Sequence, residues 1–304
     1  MRRQCSDRKL RITPARKATA VTPTAARRLP TRTRVSASCR RSSQLKSGGS
    51  PRAYQRAIEV NPYFWLNYNH LGAAYLQFGQ NEKALEAFRH VVELAKDSGA
   101  GYENIGIAYF QMGRWNECIP AFEKALQIQP TVSVYSNLGT SYFYSGRYPD
   151  AVKMFEKAAD MSPNDQAVLG NLADGYRWLG NQEKAKATYD RAITLAYKAL
   201  QVNPRDAGTM GFLGQYYAYK GEAQKGLNFI HRARALDPND IELIYKEAVI
   251  DAVAGKPQDA INSLRQAFQK GYPPEQAKND PELKTLRSTP EFGKLLQEFA
   301  RKPA

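Results

Sequence analysis

The sequence predicts an all-α protein: an α-α superhelix of about six helical hairpins, with an orphan helix before them and capping helices after them. Three observations predict it. A column of small residues, Gly72, Gly106, Gly139, Ala173, Gly214 and Ala248, recurs at intervals of 34, 33, 34, 41 and 34 residues. A second column, Gly79, Gly113, Gly146, Gly180, Gly221 and Gly255, repeats the same five intervals. An aromatic residue follows the small one by three positions in five units, at Tyr75, Tyr109, Tyr142, Tyr176 and Tyr217. A fixed period of this size marks an array whose units bury their apolar faces against one another.

Charge separates the first segment from the rest. Of the 304 residues, 44 are Lys or Arg and 29 are Asp or Glu, giving a net charge of +15. Residues 1–50 carry fourteen of the basic residues and one acid, Asp7, so the remaining 254 residues are nearly neutral at +2. Rich in Arg, Ser, Thr, Ala and Pro and without apolar periodicity, residues 1–50 are expected to be a disordered basic tail. The tail is a solvated segment without specific function, a targeting segment, a wrongly assigned start, or a nonspecific contact with anionic polymers. A basic isoelectric point arising in one tail gives no specific nucleic-acid binding to the domain.

Residues 51–62, with Tyr54, Ala57, Ile58 and Pro62, read as the second helix of a truncated repeat whose first helix is missing. The six units then run over residues 63–271. Within each, apolar residues recur at helical spacing twice, as in Tyr68, Leu71 and Tyr75 and then Ala84, Leu85, Phe88 and Val91. Each set is one stripe of an amphipathic helix. The glycine between them ends the first helix, because it can take positive φ at the C-terminal cap. The second helices share a small residue at Ala84, Cys118, Ala151, Ala185, Gly226 and Ala260, and a bulky one at Phe88, Phe122, Phe155, Tyr189, Ile230 and Leu264. Proline closes the orphan segment and several units at Pro62, Pro130, Pro163, Pro204 and Pro238.

These columns, from aromatic through Leu-Gly, Tyr, Ala and Phe to Ala and Pro, resemble the tetratricopeptide repeat, or TPR, over about residues 51–271. The resemblance implies a solenoid that binds protein or peptide in a concave groove. Its departures are Lys96 for the first closing proline, Ala173 for a glycine, and Glu247 and Asp251 where Leu and Tyr are expected. That sixth unit is expected to be the least regular. The interval of 41 falls in the fourth unit, where Ala192 and Ala199 both suit the final alanine position. Seven added helix-forming residues make about two turns, so one helix lengthened near 189–203, running from about Gln182 to Val202, is expected.

After the repeats, residues 272–304 are expected to form capping helices. Asp280-Pro281-Glu282 and Thr289-Pro290-Glu291 each place a capping side chain before a proline. Leu283, Leu286, Phe292, Leu295, Leu296 and Phe299 would then cover the open end of the last repeat. The same stretch resembles the closing segment of TPR arrays in bacterial signalling proteins such as serine/threonine kinases and winged-helix regulators.

Catalytic chemistry has no signature. GxxxxGK[ST], GxGxxG, HExxH and GxSxG are all absent, so the chain reads as no enzyme and needs no cofactor. His70, His90 and His231 lie in different units, and the only cysteines are Cys5, Cys39 and Cys118, without a CxxC pair, so no metal site is expected. Cys118 stands in the small-residue column and reads as a buried structural thiol. No stretch approaches the roughly 18 apolar residues of a membrane span. Cysteine usage suits a reducing, cytoplasmic setting.

Function then rests on the groove that the first helices line in TPR arrays. The resemblance puts Asn69, Glu103, Ile107, Phe110, Thr140, Phe143, Asp174 and Arg177 on its wall. Phe110, Phe143 and Arg177 make a ladder with Tyr144 and Trp178 beside it, suited to a peptide if these aromatics face the groove rather than the neighbouring repeat. A carboxylate clamp for chaperone tails is not expected, since no Lys stands at the matching columns. The leading expectation is a protein-protein interaction scaffold, with self-association a further option. The alternative is a regulatory or sensory arm of a larger bacterial signalling protein.

Overall fold

The computed structural model describes residues 50–300. The expectations for the basic tail therefore lie outside the described residues. Every regular element among the described residues is a helix, and consecutive helices pair as antiparallel hairpins stacked in chain order.

Helix α1 is Pro51–Val60; six hairpins follow, each written as first helix and second helix. They are α2 Trp65–Gln77 with α3 Asn81–Leu94, α4 Gly99–Gln111 with α5 Trp115–Ile128, and α6 Val132–Tyr144 with α7 Tyr148–Met161. Then come α8 Gln166–Trp178 with α9 Gln182–Val202, α10 Ala207–Tyr219 with α11 Ala223–Leu236, and α12 Ile241–Val253 with α13 Pro257–Gln269. The chain closes with α14 Pro274–Asn279, a 3-10 helix Pro281–Leu286, and α15 Pro290–Ala300.

Sequence accounts for the hairpin ends. All six column glycines adopt positive φ, between 70° and 88°. At each turn the N–H of the residue after the glycine returns to the carbonyl of the tyrosine-column residue, as from Gln80 to Tyr75 and from Arg114 to Tyr109. Orphan carbonyls at the helix end are thereby satisfied. Later first helices are capped two residues after a proline, where the carboxylates of Asp165, Asp206 and Asp240 accept backbone N–H bonds from the first turn. The sixth unit keeps the same hairpin despite its departures, because the turn uses the carbonyl of Asp251, received by Lys256 N–H, rather than its side chain.

Close approach within a hairpin depends on the small-residue column. A Cβ built on Gly106 would lie 2.7 Å from the Phe122 ring, and one on Gly139 2.6 Å from Phe155. Where Ala173 replaces glycine, the bulky column holds Tyr189, whose buried hydroxyl donates to the Asp174 carboxylate. The tyrosine column reaches back to the preceding second helix, with Tyr142 donating to Glu123 at 2.7 Å and Tyr176 to Glu156 at 2.6 Å. In the first unit the Tyr75 hydroxyl accepts from the Gln55 amide of α1 at 3.0 Å, so α1 stands where a preceding second helix would. Helix α9 is continuous over 21 residues; Ala192 and Ala196 are fully buried, whereas Ala199 is only half-buried. Cys118 is fully buried with its thiol 3.6 Å from the Trp115 carbonyl, and burial pushes its pKa up to about 12.

One side chain of the sixth unit is out of place energetically. Asp251 is buried, and burial beside Glu247 and Asp259 pushes its carboxyl up to about 7 from 3.8. A carboxyl raised in the folded state takes up its proton more readily there, so stability falls as pH rises from about 4 to about 7. Asp251→Asn should therefore melt increasingly above the wild-type chain as pH goes from 4 to 8, by roughly 1–3 kcal/mol at the upper end. A melting difference that does not change with pH would contradict this account.

The C-terminal part departs from the sequence expectation in its path. Helix α15 packs on α13, with Phe299 edge-on to Phe268 at 5.5 Å and Glu298 paired to Arg265, and the 3-10 helix packs on α12 with Leu283 and Leu286 fully buried. Residues 274–287 also run across the first helices of earlier units. Two local features cause this. Gly271, at φ 91°, ends α13 with Tyr272 N–H returned to the Ala267 carbonyl at 2.9 Å. Tyr272 then stacks on Tyr245 of α12 with centroids 3.9 Å apart, aiming the chain along the first-helix face. Asp280 accepts from Glu282 N–H at 2.9 Å, but the turn it starts is 3-10; at Thr289 the hydroxyl donates to the Leu286 carbonyl.

Candidate functional site

The wall built by the first helices changes character along the array. In the first two units it is polar and half-buried: Asn104 donates to Asn69 at 2.7 Å, linking α4 to α2. Glu103 accepts from Ser133 and, at 3.1 Å, from Asn137, linking α4 to α6; burial raises its pKa while these two bonds lower it. Asparagine at this column joins neighbouring units through side chains.

From Phe110 onward the wall is aromatic. Trp115 and Tyr144 stack at 5.5 Å, Tyr148 and Trp178 at 5.4 Å, and Phe110 and Phe143 sit edge-on to them. The ladder has a simple origin: each stacked pair joins the end of one first helix to the start of the preceding unit's second helix. Its outer edge faces the C-terminal segment.

That segment fills the groove. Asp280 accepts from Tyr245 at 2.6 Å and from Tyr144 at 3.4 Å, so one carboxylate bridges the sixth unit to the third. Glu282 pairs with Arg177 and accepts the Trp178 indole N–H at 2.8 Å. Asp280 and the Glu282 side chain are 3% and 7% exposed. Burial pushes the Glu282 carboxyl up to about 7, with Arg177 pulling it down and Asp280 and Asp174 pushing it up. Further along, Glu275 and Asn279 lie against Gly113, 3.4 and 3.9 Å from where its Cβ would be. Arg287 donates back to the Asp280 carbonyl at 2.8 Å and holds the 3-10 turn closed.

These contacts correct the sequence reading of the wall. Asn69 and Glu103 are half-buried; Ile107, Phe110, Thr140, Phe143 and Asp174 are buried. Phe110 and Phe143 face their ladder neighbours, and Thr140 donates to the Ser136 carbonyl of its own helix at 2.8 Å. Asp174 is taken by Tyr189, leaving Arg177 as the cation that reaches into the groove, 4.5 Å from the Tyr219 ring centroid. Tyr245 escaped notice in the sequence, and Asp280 and Glu282 were read there only as a helix cap. The signal for them was Gly271, which repeats the turn device of the column glycines one residue before Tyr272-Pro273-Pro274. Among the described residues no three His, Cys, Asp or Glu side chains are grouped to hold a metal ion. Nor is any described helix long and apolar enough to cross a membrane.

Family models described as tetratricopeptide repeat match residues 53–86, 97–164 and 142–192. Residues 53–86 and 97–192 thus match the tetratricopeptide repeat. Among solved structures, the helical array is similar in fold to the Cut9–Hcn1 hetero-tetramer of the APC/C, at 16% identity and a TM-score of 0.56. That match covers 86% of this chain and 47% of the other. MamA matches over 50% of this chain and 89% of its own, at 22% identity and a TM-score of 0.47. YrrB, described as a TPR protein with an unusual peptide-binding site, matches over 64% of this chain and 97% of its own, at 20% identity and a TM-score of 0.43. No match was found among curated protein sequences.

Proposed function

We propose that the TPR array is a non-enzymatic interaction scaffold that binds a partner polypeptide along its first-helix groove. One observation carries this reading: the groove already holds a polypeptide, residues 274–287, through side-chain bonds from the third, fourth and sixth units. Aromatic and arginine side chains give the largest contact energy per ordered residue, which suits peptide capture. The first unit and the start of α4 extend the groove beyond the segment, with Ala73 and Ala100 half-buried there.

The test is retention from a native extract on the immobilised full chain. Ala73→Arg and Ala100→Arg together should abolish retention of the partner, whereas Glu86→Ala on the exposed face of α3 should leave it. Equal loss on both, or none on either, would place binding outside the groove.

A further inference from the structure

The geometry points to a partner of defined chemistry: an acidic segment of the form Asp-x-Glu, for which this chain's own Asp280-Pro281-Glu282 is the resident competitor. The inference rests on the scaffold reading above and specifies what the groove accepts.

Besides the Glu282 N–H that Asp280 accepts within the segment, the two carboxylates, spaced two residues apart, meet four donors from outside it. Tyr144 and Tyr245 hydroxyls reach Asp280; the Arg177 guanidinium and the Trp178 indole N–H reach Glu282. These donors come from three different units, so the array itself sets their separation, as a receptor does. Neutral phenol and indole donors together with one arginine select a carboxylate pair over a basic segment, and Leu283 and Leu286, both fully buried, add apolar contact beside it.

Residues 273–289 lie between two contacts on the last hairpin, Tyr272 on Tyr245 and Phe299 on Phe268, and form a strap whose release exposes Ala277, Leu283 and Leu286, which are fully buried when it is docked. Its two elements, Pro274–Asn279 and Pro281–Leu286, are each only six residues long. Docking also brings Asp174, Asp280 and Glu282 together around Arg177, and Arg177 Nε has no hydrogen-bond partner. The like charges weigh against the docked strap. A tethered strap acts at an effective concentration on the order of millimolar, so a free acidic segment competes only when its own contacts are better or the strap is weakened.

Full-length chains and one probe test this. The probe is a fluorescein-labelled synthetic peptide with the sequence of residues 273–289, and anisotropy reads its binding. Wild-type chain should bind it weakly. Glu282→Arg, which faces Arg177 with a like charge, should free the groove and bind the peptide at least tenfold more tightly; Glu282→Gln, isosteric and safe for folding, should fall between them. Hydrogen exchange should rise at residues 280–287 in the same order. A peptide with lysine at both acidic positions should not bind any chain.

Several results would overturn the inference. One is a Glu282→Arg strap that exchanges freely while neither variant gains affinity; the groove then accepts other chemistry, and extract retention decides the scaffold reading separately. Another is a strap that stays protected in both variants. Equal binding of the lysine peptide is a third. A wild-type chain that dimerises with concentration and excludes peptide only as the dimer would make the occupant a second copy.

Discussion

Gly106→Val should cost the array on the order of 3 kcal/mol, because its side chain would enter space the Phe122 ring already occupies. The Cβ alone would meet three ring atoms between 2.7 and 2.8 Å, and Phe122 is fully buried with no room to turn aside. Helix propensity runs the other way: replacing a mid-helix glycine by a better helix former gains only about 0.5 to 1 kcal/mol, too little to offset the overlap. Denaturant unfolding of the full chain reads the loss. Phe122→Leu in the same chain should recover part of it by shortening the obstructing group, whereas Phe122→Leu alone should destabilise. A Gly106→Val chain as stable as wild type would show that the two helices do not need this approach. In a quasi-one-dimensional array the damage should centre on the second hairpin and its neighbours.

Arg177→Met should undock the strap. Glu282 is almost wholly buried, and with its cation gone the carboxylate keeps only the Trp178 N–H bond beside Asp280 and Asp174. Removing one partner of a buried pair costs about 3–5 kcal/mol, mostly from the charge left behind. Here the loss is capped at the docking free energy, because the strap can leave and let Glu282 hydrate. The expected result is therefore a large rise in hydrogen exchange over residues 280–287 with a small change in global melting. Adding Glu282→Leu to Arg177→Met should restore protection, since both charges are then gone. Protection that falls further in the double variant would mean that the pair is not what holds the strap.

Much of the fold was open to reading from single columns of residues. Glycine at Gly79 and its equivalents ends a helix by backbone chemistry alone, and Gly106 or Gly139 admits a ring because it has no side chain. Both are local causes, and a period of 34 residues multiplies them. The interval of 41 was readable for the same reason: seven helix formers extend a helix wherever it packs. The groove was readable only in outline. Phe110 and Phe143 carry the residue types of a binding ladder, yet Tyr144, Tyr148 and Trp178 turn them into packing, and that depends on which rings two neighbouring units bring within 6.2 Å.

By itself, then, the sequence determined the number of hairpins, where each turns, and which stripe of each helix is buried, since propensity, capping and periodicity act over a few residues. Only the tertiary structure decided where residues 274–287 go. Their Pro-rich, charged sequence is compatible with a cap over the last repeat, and α15 does take that place. The path across the groove is selected by partners far away in the chain, Tyr144 and Arg177, more than 100 residues before Asp280 and Glu282. No local rule carries such a pairing; it exists because stacked units bring the third, fourth and sixth first helices around one space, and two buried carboxylates need the donors found there.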